Sequence, residues 1–150
     1  MRILSADSRG GVSLKNELTE RAVNALSQTH AVTFLDLPRI TIAEKHELLN
    51  WCDYLLLVTH PSPQGIKMTK NIIEKLEGKH QLIPVVNMVS GGAHAASVAL
   101  EIGNDNVMPV RKSKGIIEDS MRNCQIIYRK RSGTTKDINK ILRKCLTIAS

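Results

Sequence analysis

Short apolar runs alternate with stretches of helical periodicity along this 150-residue chain, and that alternation limits its fold more than any other feature. Ile3-Leu4 opens a short buried strand. From Ser13 onward Leu14, Leu18, Ala22, Ala25 and Leu26 share one face at helical spacing. Residues 31–37 are β-branched and apolar, predicting a strand that Pro38 ends. Residues 43–51 predict a short helix. Residues 53–59 form a continuous apolar run, the pattern of a central parallel strand covered on both faces. A rigid loop, His60-Pro-Ser-Pro-Gln-Gly, leads into a helix with Ile66, Thr69, Ile72, Ile73 and Leu76 on its inner side. Residues 81–89 predict another buried strand, with Pro84 marking a bulge or an irregular start. Ser90-Gly-Gly-Ala-His precedes an Ala-rich helix to about Ile102, and residues 106–110 predict a fifth strand. Residues 124–128 read as an extra strand, with a helix segment as the alternative. A last helix starts at Thr134, with Ile138, Ile141, Leu142, Cys145 and Ile148 on one face.

The order βαβαβαβαβ, then a basic segment and a terminal helix, predicts an α/β fold. It implies parallel strands joined by right-handed crossovers, with helices on both sheet faces. The length suits one domain over residues 1–150, with the basic segment 107–150 included. No apolar run is long enough to span a membrane. Arg2 is followed by only two strongly apolar residues, unlike a secretion signal. Cys52, Cys124 and Cys145 are odd in number and widely spaced, as expected of reduced thiols in a cytoplasmic protein. The four aromatics, Phe34, Trp51, Tyr54 and Tyr128, are too few for a stacking platform on single-stranded nucleic acid.

An open parallel sheet binds ligands beyond the carboxyl ends of its strands. That rule selects three loops: Ala6 to Ser13, His60 to Gly65, and Ser90 to His94, all rich in Gly, Ser or Pro. In the first, small hydroxyl residues and glycines run into a helix N-terminus, whose free N–H groups favour a phosphate. The same loop also works as a plain βα turn with Ser13 as the helix cap. His60 and His94 have no Cys or carboxylate at ligand spacing, so no metal site is expected. No Gly-x-Ser-x-Gly, Walker-type or His-Glu-x-x-His pattern occurs.

Charge is uneven. Residues 1–106 hold 10 Lys/Arg against 11 Asp/Glu, whereas residues 107–150 hold 11 against 3, so an anionic partner would meet the last third. Clusters at Arg111-Lys-Ser-Lys and Arg129-Lys-Arg are either solvated faces or attractors of phosphate.

Four segments within residues 1–110 resemble the NAD(P)H-dependent FMN reductase family of flavodoxin-like proteins. Ser8-Arg9 with Ser13-Leu14 and Asn16 is similar to the family's first loop, which cradles the FMN phosphate. Residues 53–61 are similar to its third strand, leading into a Pro-containing loop at the flavin ring. The helix from Gly65, with Lys70-Asn71, and the turn Ser90-Gly91-Gly92-Ala93 match further family features. The aromatic that the family carries after the middle-loop Pro is absent, and Ser8 and Arg9 are adjacent instead of separated by one residue.

The resemblance implies a flavodoxin-like three-layer αβα sandwich around a five-stranded parallel sheet. It implies FMN bound by Ser8, Arg9, Ser13, Leu14 and Asn16 at the phosphate. Pro61, Ser62, Pro63, Gln64, Gly65, Ser90, Gly91, Gly92 and Ala93 would surround the ring. The implied activity is hydride transfer from NADPH or NADH through FMN to a quinone, flavin or similar small-molecule acceptor, in a cytoplasmic homodimer or tetramer, with no residue acting as acid or base. The alternative is a non-enzymatic flavodoxin-like module whose basic C-terminal third meets an anionic partner such as nucleic acid.

Overall fold

The computed structural model describes residues 16–37, 49–76, 80–113 and 132–148. The chain divides into two compact units, Met1–Cys52 and Asp53–Ser150.

In the first unit, α1 (Asn16–Thr29) buries one side only in part: Ala22, Val23 and Leu26 are half-buried, while Ala25 is exposed. At its end the Thr29 hydroxyl donates back to the Ala25 carbonyl at 3.1 Å, and the His30 N–H keeps the helical pattern by donating to the Leu26 carbonyl at 2.9 Å. Residues 31–37 are not a strand, contrary to the sequence expectation. Their burial does alternate, with Thr33, Leu35 and Leu37 half-buried between exposed Val32, Phe34 and Asp36. A strand also needs a neighbour to pair its backbone, and no described segment supplies one. The strand expected at Ile3-Leu4, most of the helix expected over 43–51 and the strand expected over 124–128 lie outside the described residues.

The second unit carries a parallel three-stranded sheet in the order β1 (Tyr54–Thr59), β2 (Gln81–Val89), β3 (Met108–Arg111). Each strand is followed by a helix: α2 (Pro63–Leu76), α3 (Gly92–Ile102) and, after a longer connection, α4 (Gly133–Ile148). β2 supplies both faces of the core. Val86 and Val89 pack with Ile66, Val98 and Ile102 of α2 and α3. Ile83 and Val85 pack with Val110 and with Ile141 of α4, flanked by Tyr54, Leu56 and Ile138. Helices therefore cover both faces of this sheet, making three layers within the unit. The two crossover helices share one face, as successive crossovers of one hand require.

Three of the five expected strands are found among the described residues, and β1 is at the edge of the described sheet, not at its centre. Leu55, Leu57 and Thr59 are buried, but Val58 on the other face is 58% exposed. Pro84 does not break β2: β3 begins opposite Val85, one residue later. The irregularity falls instead at residues 87–89, where the register with β3 slips and Met88 takes φ 65°. Val86 and Val89 would face opposite ways in a regular strand. The extra residue returns Val89 to the α2–α3 side, where it is 1% exposed.

Candidate functional site

β1 and β2 are adjacent and parallel, so the loops at residues 60–62 and 90–91 both leave the carboxyl end of the sheet. They are not level. Thr59 pairs with Val86, and β2 continues three residues further, a step of about 10 Å at ~3.3 Å per residue. Val89 pairs with Arg111, so the second loop is level with the end of β3.

The first of these loops is closed on itself. The Ser62 hydroxyl accepts the Gly65 N–H at 3.2 Å, and Pro63 occupies the first helical position, where its missing N–H costs nothing. The Ser62 N–H donates to the His60 carbonyl at 2.8 Å. Gly65 is buried because the chain passes so near: a Cβ there would lie 2.5 Å from the His60 carbonyl oxygen and 2.9 Å from Thr59 Oγ1. Pro61 and Ser62 are half-buried, and Pro63 and Gln64 are exposed.

The second loop is open. Gly91 precedes α3 in an extended conformation, with no side chain capping the helix. Nothing lies within 4 Å of where a Cβ of Gly91 or Gly92 would be. The leading N–H groups of α3 thus face an uncrowded approach, at the positive end of the helix. Ser90 and Ala93 are exposed. His94 Nδ1 lies 2.9 Å from Ser90 Oγ and 3.3 Å from the Ser90 backbone N–H. Because a backbone N–H can only donate, Nδ1 is the acceptor, and the neutral ring carries its proton on Nε2.

Of the remaining predicted residues, Ser8, Arg9, Ser13 and Leu14 lie outside the described residues, and Asn16 opens α1. Among the described residues no three His, Cys, Asp or Glu side chains come together as metal ligands, and no helix is long and apolar enough to cross a membrane.

Sequence reasoning misses that Arg111 is the join between β3 and α4. Its guanidinium makes two bonds to Asp137, Nε to Oδ2 at 2.8 Å and Nη2 to Oδ1 at 2.9 Å, and its backbone N–H also donates to Oδ2 at 3.0 Å. The Thr134 hydroxyl donates to the Arg111 carbonyl at 2.8 Å, and Ser132 caps α4 by accepting the Thr135 N–H at 3.0 Å. Burial alone would raise the Asp137 carboxyl, but the Arg111 hydrogen bonds and the charges of Arg111 and Lys140 bring it below its ordinary value. The hydrogen bond to Asp137 in turn holds the guanidinium proton more firmly. The signal that could have found this join is Asp137 itself, the one acid in a helix with four Lys/Arg. Burial pushes the Tyr54 hydroxyl and the Cys145 thiol upward, and both side chains pack against the core of the α4 face. No protein-family model matches the chain, and no curated protein or solved structure is found to be similar to it.

Proposed function

We propose that this chain is an FMN-dependent oxidoreductase that takes hydride from NADPH or NADH and passes electrons to a small acceptor such as a quinone or a flavin. The observation that carries the reading is the pair of neighbouring βα loops at one end of a parallel sheet, the second opening an uncapped helix through Gly91 and Gly92. The two glycines leave room for a flat ring edge to approach the backbone closely, and the N–H groups of Gly92 and Ala93 offer donors to its carbonyl and nitrogen atoms. His94, with Nδ1 engaged by Ser90, has Nε2–H as a further donor. The rigid turn at Pro61 to Gly65 adds apolar surface without the aromatic of the family pattern. The phosphate is assigned to Ser8, Arg9, Ser13, Leu14 and Asn16 on the family resemblance.

When bound, FMN supplies the hydride acceptor and electron donor; the protein's part is position and electrostatics. The α3 N-terminus and His94 would hold the ring edge, and donors so placed would stabilise negative charge on it and favour the reduced state. An absorption spectrum of the purified protein, repeated after FMN addition, tests the reading. Flavin bands and FMN-dependent oxidation of NADPH or NADH are expected. A colourless protein whose spectrum with FMN equals the sum of its parts overturns it.

A further inference from the structure

α3 differs from α2 and α4 in what it turns to solvent. Val98 and Ile102 are buried with β2, and Ala95 packs beside them. The opposite face carries Ala93, Ala96, Ser97 and Leu100, all exposed. At 85%, Leu100 is the most exposed large apolar side chain among the described residues. Glu101, on the flank of this face, is the only Lys, Arg, Asp or Glu of the helix. α2 instead exposes Lys67, Lys70 and Glu74, and α4 exposes Lys136, Lys140 and Arg143. A surface helix ordinarily sets charge on its outer side, so an apolar outer face marks a contact.

The two ends of α3 carry a second sign. Its last turn holds Glu101 and no basic residue, so an acid stands at the negative end of the helix. The residues four positions either side of Glu101, Ser97 and Asp105, offer it no cation. The first turn holds no acid, and no side chain caps it, so the positive end is unmatched.

We propose that this face of α3 docks on the same face of a second copy of the chain, the two helices antiparallel across a twofold axis. Positions 93 and 100 are equidistant from a point between Ala96 and Ser97. An axis there sets Leu100 of each copy over Ala93 of the other. Ala96 and Ser97 lie at the crossing, where small side chains let the helices approach closely. The same axis brings Glu101 level with Gly92 of the second copy, at the positive end of that helix. One axis thus matches both shape and charge, whereas a parallel pair would bring like ends together. Glu101 reaches the flank of the first turn and leaves the helix end open to a ligand, so the proposal stands apart from the flavin reading. Eleven residues make a helix only about 16 Å long, so the pair is a monomer–dimer equilibrium and not a permanent dimer.

Sedimentation equilibrium of the full chain over a wide concentration range, up to millimolar, tests this. The wild-type mass should rise with concentration from that of one chain towards that of two. Leu100→Glu should weaken association at least about tenfold, because the leucine is lost and carboxylates crowd the contact. Leu146→Glu, which adds the same charge at a half-exposed leucine of α4, should stay within about twofold of wild type. Glu101→Gln should weaken association about threefold or more, since each dimer holds two such contacts. The same change removes an acid from the negative end of the helix, so that variant should melt no lower than wild type, which separates impaired docking from impaired folding. Ser97→Cys, close to the axis, should give a disulfide-linked dimer on mild oxidation, and Lys70→Cys on α2 should not. A wild type that stays monomeric at millimolar concentration overturns the proposal. So does equal weakening by Leu146→Glu, unchanged or tighter association of Glu101→Gln, or equal cross-linking of the two cysteine variants.

Discussion

At the scale of single residues, Asp137 is the position where one side chain takes three hydrogen bonds from a single distant residue. It accepts two bonds from the Arg111 guanidinium and one from the Arg111 backbone, and so fixes α4 to the end of β3. Removing one partner of a fully buried pair costs about 3–5 kcal/mol. The Arg111 side chain is 51% exposed, so solvent screening lowers the expected cost of Asp137→Ala to about 2 kcal/mol. Asp137→Asn should cost less, because its amide oxygen still accepts from Arg111. The pH dependence follows from the depressed carboxyl. Its contribution is full above the ordinary aspartate value of about 3.9 and is lost as pH falls through the lower folded value. Denaturant unfolding from neutral to acid pH should therefore show a shallower acid limb for Asp137→Asn than for wild type. Identical acid limbs would mean that the ion pair adds nothing to stability. The sequence hints only that the lone acid of α4 has a partner; which one is not legible, since Arg111 and Asp137 are 26 residues apart and a basic cluster looks the same there whether solvated or paired.

Among the elements, β2 is the one whose form departs from its pattern. Its apolar run predicts the buried strand that is found, and the same holds for β1, β3 and helices α2 to α4, because strand-length runs and helical spacing are local signals. Partners are not local. The run at 31–37 keeps the alternating burial of a strand but has no neighbour to pair with among the described residues, and β1 lies at an edge despite the composition of a central strand. The bulge at residues 87–89 is equally hidden, for Met88 is an ordinary strand residue and nothing in its identity announces φ 65°. Holding a side chain in the left-handed region costs about 1–2 kcal/mol, whereas glycine in a strand costs about 0.5–1 kcal/mol in chain entropy. Met88 is 39% exposed and gives up little packing, so Met88→Gly should be neutral or stabilising by up to about 1 kcal/mol. Met88→Val should destabilise by about 1–2 kcal/mol, since branching at Cβ worsens the left-handed conformation. Urea midpoints of the two variants check the sign, and a tolerated valine would mean that residue 88 does not hold the left-handed conformation in solution.

For the whole molecule, the α/β class and helices on both sheet faces are legible in the sequence, while the closed and open characters of the two ligand-facing loops need coordinates. Pro61-Ser62-Pro63 and Ser90-Gly91-Gly92 look equally loop-like as residues. Ser62 turns inward to cap its own helix, whereas no side chain caps α3. The second loop is therefore the one with backbone donors to offer. A ligand that binds only the folded chain stabilises it by about 2.7 kcal/mol at a hundredfold excess over Kd. For a chain of this size that corresponds to a rise in Tm of roughly 5–10 °C. Melting curves with and without excess FMN should show the shift, and riboflavin, which lacks the phosphate, should give less. An unchanged Tm with FMN would count against the oxidoreductase reading.

The slip at residues 87–89 gives β2 a counted length. Substituting Met88 alters a single backbone conformation, but deleting it would restore strict alternation beyond Val86. Val89 would then follow Val86 by two residues and stay on the α2–α3 side, and Ser90 with the Gly-Gly opening of α3 would keep its facing. The facing of β2 thus survives the loss of the very residue whose conformation is strained.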